Sequence, residues 1–390
     1  MQMNLSALKD VSELKELSIS PTFFRGEFLL GFGYEFDVTH STFETLDLLF
    51  PETPVFFTRK DGHASIINSL AANRLNLKAG ELHEADHMLA YQRLPRYTVQ
   101  QRESLALAGQ QHFLEKGFTH IRDMTMTEDD WRIVFSLSQR NDFFLAIESY
   151  LYVSERDSLS DWLSAAQRMK EAVNKNMRFR GIKIFYDGTL GASTAHVSCA
   201  CSSTRKINWA LEDLQEIMVQ AWKNNFEVAI HTIGDQAVHE VVSLARKISA
   251  SGVLGRLCLE HAELLRPETI QMLKPLHVEV HMQPCHFFSD RNLFHEKYKE
   301  AKKYLFQWNR LERAGVPLFF GSDSPIVEAD FFKNIEAIEG AKQEFKIPKI
   351  ENDIALYHTH PDKSWISAQT EINHSQITKV TIENQVRFQK

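Results

Sequence analysis

From about residue 100 onward this 390-residue chain alternates helical periodicity with short, nearly continuous apolar runs, and that alternation narrows the fold more than any other feature. Seven runs read as strands: FTHIRD (118–123), FFLAIES (143–149), GIKIFYDG (181–188), EVAIHTIGD (227–235), RLCLEHAE (256–263), VEVHMQPCH (278–286) and VPLFFGSD (316–323). Between them Leu211, Leu214, Ile217, Met218, Ala221 and Trp222 share one helical face, as do Val238, Val241, Val242, Ala245 and Ile248, and Pro267 before Glu268 marks a helix start. Strands this apolar belong to a parallel sheet covered by helices. No G-x-G-x-x-G follows any of them, so the expectation is an α/β chain with a (β/α)8 TIM-like barrel, one strand short, rather than an open doubly wound sheet.

The flanking segments follow other rhythms. Residues 35–100 carry Pro51, Pro54 and Pro95 with no recognisable βαβ unit, and are expected to form an insertion or small lid in a barrel domain spanning 1–365. Leu5, Leu8, Val11, Leu14 and Leu17 recur every three residues, which predicts an opening amphipathic helix. Near the other end, in 366–390, Ile377, Val380, Ile382, Val386 and Phe388 alternate around Glu383-Asn384-Gln385, predicting a hairpin or sandwich strands. An open barrel would expose backbone along FTHIRD and VPLFFGSD, a hazard that a homodimer or cover by residues 20–35 would relieve.

The net charge is −7, the pI is near 6.2, and no Lys/Arg tract stands out, which argues against nucleic acid or an acidic membrane and for a small-molecule substrate. The 27 phenylalanines require a large core. Cys199, Cys201, Cys258 and Cys285 offer no C-x2-C pairing and read as free thiols in a reducing cytoplasm. The first residues lack a cationic segment followed by an apolar one, and no stretch of about 18 apolar residues occurs. A cytoplasmic location is therefore expected.

The chemistry lies where polar residues interrupt the strands. His231, His261 and Asp323 each end an apolar run, and the carboxyl ends of barrel strands point into the mouth where active sites form. One such residue alone is more often a cap or a structural hydrogen-bonding group; three at equivalent positions are hard to assign to chance. Lys183 sits inside Ile182-Lys183-Ile184-Phe185, where an unpaired ammonium is costly. Either its pKa is depressed, or Asp187 or Asp323 pairs with it, or the amine takes up CO2 and becomes a metal-binding carbamate. Two His, an Asp and a carbamate suit a divalent, zinc-type hydrolase site.

With these residues in place the chain resembles the amidohydrolase superfamily, in the family 3 branch that includes N-substituted formamide deformylases. The motifs are RKDGH (59–63) with Asn68-Ser69, GFTHIRDM (117–124), GIKIFYDGTLGASTA (181–195), AIHTIGD (229–235), EHAELL (260–265) with HMQPCH (281–286), and FFGSDSPI (319–326). The resemblance implies a metal-dependent barrel in which Lys183, His231, His261 and Asp323 are the ligands from strands four, five, six and eight. The family's H-x-H, expected ahead of the opening segment, has no counterpart, so the barrel would be incomplete and the strands at 377–388 a remnant of an accessory β-sandwich. That reading implies either a misplaced gene start or a shortened copy, holding at most one weakly bound ion. Ser193 replaces the usual Arg of the loop after strand four, and the tail after Tyr357-His358-Thr359 diverges.

Other residues have plainer readings. His63 either hydrogen-bonds substrate or satisfies a loop carbonyl. His286 is a substrate-lining residue of strand seven, His281 a structural one, and Cys285 a buried thiol rather than a nucleophile. Asp187 and Asp235 orient Lys183 and His231. Gly188 and Gly191 shape a tight loop. The leading function is hydrolysis of an amide-type C–N bond, with Asp323 as general base. Its rivals are an inactive amidohydrolase-like binding or scaffold protein and a lyase or isomerase using the Lys183 amine.

Overall fold

A repeat of three is the repeat of a 3-10 helix, and the first apolar series builds one rather than the amphipathic α-helix expected. In the computed structural model, Val11–Glu16 form a 3-10 helix whose first turn is capped by Asp10, and Met3–Asn4 before it are a short strand, β1. Leu5, Val11 and Leu14 are buried, so the spacing reported packing correctly and helix type wrongly. The described residues are 2–62, 64–154, 157–172, 174–201, 204–348, 367–373 and 376–390. They divide into two compact units, Met1–Leu105 and Ala106–Lys390.

In the first unit, β1 is followed by β2 (Phe24–Arg25), β3 (Phe28–Tyr34), β4 (Val55–Arg59), β5 (Ala64–Ile67) and β6 (Gly80–His83). The sheet order is β1-β3-β4-β5-β6, with β2 against β3. β3 and β4 run parallel through the helix His40–Leu49, which is a βαβ unit that the prolines concealed. Pro51 and Pro54 lie in the turn before β4, outside any ladder. Leu29, Val55 and Phe57 pack on one side against Leu46 and Leu14, and Phe28, Leu30 and Phe56 pack on the other against Ala71, Leu75 and Leu82.

In the second unit all seven expected runs are strands: β7 (His120–Met126), β8 (Ala146–Tyr152), β9 (Met177–Phe185), β10 (Glu227–Thr232), β11 (Leu257–His261), β12 (Val278–Met282) and β13 (Leu318–Phe320). They pair in chain order and every pairing is parallel. Helices Leu211–Lys223 and Asp235–Ala250 follow β9 and β10, and Pro267–Leu273 follows β11, as the periodicity predicts. The sheet is strongly curled. Arg122 of β7 reaches Glu260 of β11 at 3.1 Å, whereas a flat sheet would hold strands four places apart at roughly 19 Å.

Away from the register shifts in the β7–β8 and β8–β9 pairings, the strands alternate. Outward residues Ile182, Ile184, Val228, Ile230, Leu257, Leu259 and Val280 meet the helices through Leu214, Met218, Val238, Val242 and Leu273. Inward residues include Glu148, Lys183, His231, Glu260, Glu279 and His281, all buried. The inner face is thus polar, although the runs read as apolar throughout. Near the strand starts it is ionic: Arg180 pairs with Glu148 at 3.4 Å and Glu227 at 2.5 Å, and Arg256 with Glu227 at 3.3 Å and with Glu279. Gly181 is required there, because a Cβ would strike the Glu227 backbone.

The expected hairpin is present as β15 (Gln376–Ile382) and β16 (Gln385–Gln389), joined by Glu383 and Asn384, both at positive φ as a type I′ turn demands. β14 (Ala368–Asn373) completes an antiparallel sheet, and Val380 and Ile382 join the core of the second unit. Cys199 and Cys201 are joined by a disulfide across a turn with Cα atoms 5.2 Å apart, which corrects the reading of four free thiols; Cys258 and Cys285 are free and buried. Among the described residues no helix is long and apolar enough to cross a membrane.

Candidate functional site

His231 and His261 lie at the carboxyl ends of neighbouring strands, and their ring centroids are 4.5 Å apart. The His286 ring, at the start of the helix His286–Glu296, stacks on His261 at 5.6 Å. Its Nε2 is 3.9 Å from Oδ2 of Asp323, in the loop after β13. Each of His261, His286 and Asp323 offers a donor atom within 4.8 Å of the other two. Lys183, 2% exposed, points to the same interior from β9, its Nζ 4.9 Å from the Phe185 ring. The three strand-end residues expected from the sequence and Lys183 therefore face one interior, and His286 joins them. His63 and Tyr357-His358-Thr359 lie outside the described residues.

Local backbone geometry sets the donors. His261 has φ 71° and Asp323 φ 59°, left-handed conformations that non-glycine residues hold only where surrounding structure compels them. The Nδ1 of His261 lies 2.7 Å from Oε1 of Gln283. An oxygen acceptor there requires Nδ1–H, which leaves Nε2 as the basic nitrogen. Nε2 of His231 is 3.2 Å from the carbonyl oxygen of Gly188, so by the same reasoning Nδ1 is its basic nitrogen. Gly188 admits the fold of this loop, since a Cβ on it would strike Thr194.

Burial first, and then the neighbouring imidazoles and the Lys183 amine, hold His261 well below the ordinary imidazole range. Burial also lowers the Lys183 amine to about 8, against the opposing pull of Glu260 and Asp323. Of the acids proposed as its partner, Asp323 is among those acting on it. Asp187 is engaged elsewhere. Its carboxylate accepts main-chain N–H groups from Ile233, Gly234 and His196, each at 2.9 Å, and lies 3.9 Å from His231 Nε2. Burial raises it to about 6 even so. Asp235 accepts hydrogen bonds from Ser198 and Arg266, bracing the loop after β9.

Sequence reasoning missed Glu260, Gln283, Glu263 and Asp290. Glu260 alternates inward with Cys258, a signal that was legible beside His261. Gln283 stood in HMQPCH between two histidines. His281 is buried beside Glu279 at 3.4 Å, on the ionic layer, as a structural residue would be. Cys285, with its thiol pushed up by burial to about 12, has no nucleophilic character.

A model of the amidohydrolase family matches residues 31–343, most of the chain. The chain belongs to the amidohydrolase family. Protein LONG AFTER FAR-RED 3 of Arabidopsis thaliana is 24% identical over 343 residues, covering 78% of this chain and 58% of that relative, so the chain spans little more than half of its length. Two crystal structures described as uncharacterized metal-dependent hydrolases share the fold of this amidohydrolase. That from Pyrococcus horikoshii OT3 has a TM-score of 0.71 at 23% identity, covering 88% of this chain and 73% of the other. That from Pyrococcus furiosus has a TM-score of 0.68 at 24% identity, covering 86% and 72%.

Proposed function

We propose that this amidohydrolase is a zinc-dependent hydrolase of amide-type C–N bonds other than peptide bonds, acting on N-substituted amides. The observation that carries the reading is the grouping at the strand ends of His261, His286 and Asp323, whose donor atoms lie within 4.8 Å of one another, with the His231 ring against His261 and a basic nitrogen left on each of those two imidazoles. These donors fit a divalent ion of borderline hardness. Lys183 fits as a fourth ligand if its amine carries a carbamate, since the low dielectric that penalises its ammonium leaves more of it neutral and able to take up CO2. A bound divalent ion polarises a carbonyl and lowers the pKa of water.

The protein's own groups then account for the proton movements. The Asp323 side chain, 36% exposed, is reachable by water and substrate while held near His286. It takes a proton from the attacking water as the new C–O bond forms, and returns it to the amine nitrogen as the C–N bond breaks. The Gly188 carbonyl and Gln283 fix His231 and His261 in orientation and tautomer. The test is hydrolysis of N-substituted formamides by the purified chain supplied with zinc and bicarbonate, with metal content measured in parallel. Zinc-dependent turnover is expected; zinc bound at these residues with no turnover of any amide would remove the catalytic reading.

A further inference from the structure

We propose a second divalent-cation site formed by Glu263, His286 and Asp290, beside the His231/His261 centre and sharing the His286 ring with it. Glu263 lies two residues past the end of β11, and His286 and Asp290 stand one turn apart on the helix His286–Glu296. Each offers a donor atom within 4.8 Å of the other two. Ligands around a tetrahedral zinc ion at roughly 2.1 Å are about 3.4 Å apart, so binding requires side-chain closure of about an ångström and no backbone rearrangement.

Glu263 points independently to a missing ligand. It is 2% exposed, and both carboxylate oxygens are buried without a hydrogen bond. Its ion-pair partner, His286 Nδ1, is 3.8 Å away, beyond hydrogen-bond reach. A buried carboxylate left in this way is costly unless a cation meets it. One imidazole nitrogen and two carboxylates form the N/O donor set of zinc or manganese rather than of a soft ion. Among the described residues a third donor cluster, Cys258, Glu279 and His281, differs in this respect, because Glu279 accepts a hydrogen bond from Arg256.

Sharing His286 links the sites. A cation at Nδ1 requires the proton on Nε2, which faces Oδ2 of Asp323 at 3.9 Å. The second ion would thereby aim an N–H donor at the proposed general base, in the manner of a carboxylate–histidine–metal chain.

The experiment is zinc titration of the metal-stripped full chain against a chromophoric chelator, repeated for Asp290→Asn, for Glu263→Gln with Asp290→Asn, and for His261→Ala. The expected result is a class of zinc sites that Asp290→Asn weakens at least tenfold and the double variant abolishes, while His261→Ala leaves that class intact. Loss of binding only in His261→Ala, with the double variant folded by circular dichroism and unchanged in stoichiometry, would overturn the second site without touching the first. If the double variant does not fold, Asp290→Asn decides: zinc affinity unchanged in both classes would overturn the proposal.

Discussion

Oδ2 of Asp187 accepts the main-chain N–H of Gly234 at 2.9 Å, tying the loop after β9 to the turn that carries the chain away from His231. The same carboxylate accepts the N–H groups of Ile233 and His196, so one side chain aligns two backbone segments through three N–H groups. Asp187→Asn turns an amide NH2 toward these donors and should destabilise the protein by about 1–3 kcal/mol, the cost of a buried donor left without a partner. Urea denaturation measures the loss. Zinc retention should fall further than stability does, because His231 loses its alignment.

Asp323→Asn and His231→Ala should each lower zinc-dependent amide hydrolysis by at least about a hundredfold, the scale on which general acid–base groups act. The variants should differ in metal content: His231→Ala loses zinc, whereas Asp323→Asn retains more of it. Steady-state kinetics with elemental analysis separates the two. Unchanged turnover in Asp323→Asn would remove the aspartate from the reaction.

Glu240 gives a pH dependence away from the proposed metal site. Burial opposes its charge, but hydrogen bonds from His196, Gln236 and Tyr186 outweigh burial and hold the carboxyl at about 2, below its ordinary 4.5. The native state therefore binds this proton less readily than the unfolded chain. Its stabilising contribution is present above pH 4.5 and is lost as pH falls toward 2. The stability difference between the wild type and Glu240→Gln should accordingly be largest near neutrality and shrink across that interval, as read from denaturation midpoints at successive pH values.

Gly181→Ala should cost about 1–3 kcal/mol, at the upper end of overpacking, because the added methyl meets the Glu227 backbone rather than a movable side chain. Gly191→Ala is the control, with open space around its Cα and no positive φ. A urea midpoint shift in the first and none in the second is expected.

Alkylation of the denatured chain without reductant should label Cys258 and Cys285 alone, and all four cysteines after reduction, as read by intact mass. Four labels before reduction would contradict the Cys199–Cys201 bond.

The barrel strands were legible because their outward residues, such as Ile182, Ile184, Val228 and Ile230, supply an apolar signal strong enough to mark each run. His231, His261 and Asp323 were legible as polar ends of those runs. The partners that hold them were not. Gly188 contributes a carbonyl oxygen, and Gln283 lies on a different strand's loop, so neither contact leaves a trace in local composition. The first unit was missed for the opposite reason: Pro51 and Pro54 weighed more than the apolar strands Phe28–Tyr34 and Val55–Arg59 beside them. Period three was assigned to an α-helix although an exact repeat of three favours the tighter one.

The ionic layer at the strand starts also governs which strand alignments the chain can accept. Glu148, Arg180 and Glu227 lie on the adjacent strands β8, β9 and β10, Glu279 lies on β12, and Arg256 immediately precedes the intervening β11. Sliding any one strand by a single residue would turn its charge outward among Leu214, Val238 and Leu273 and strand the opposite charge inside. Apolar side chains tolerate such a slip far more readily than formal charges do. The buried pairs thus act as a key that admits one alignment of the sheet, and with it one placement of Lys183, His231 and His261 further along the same strands.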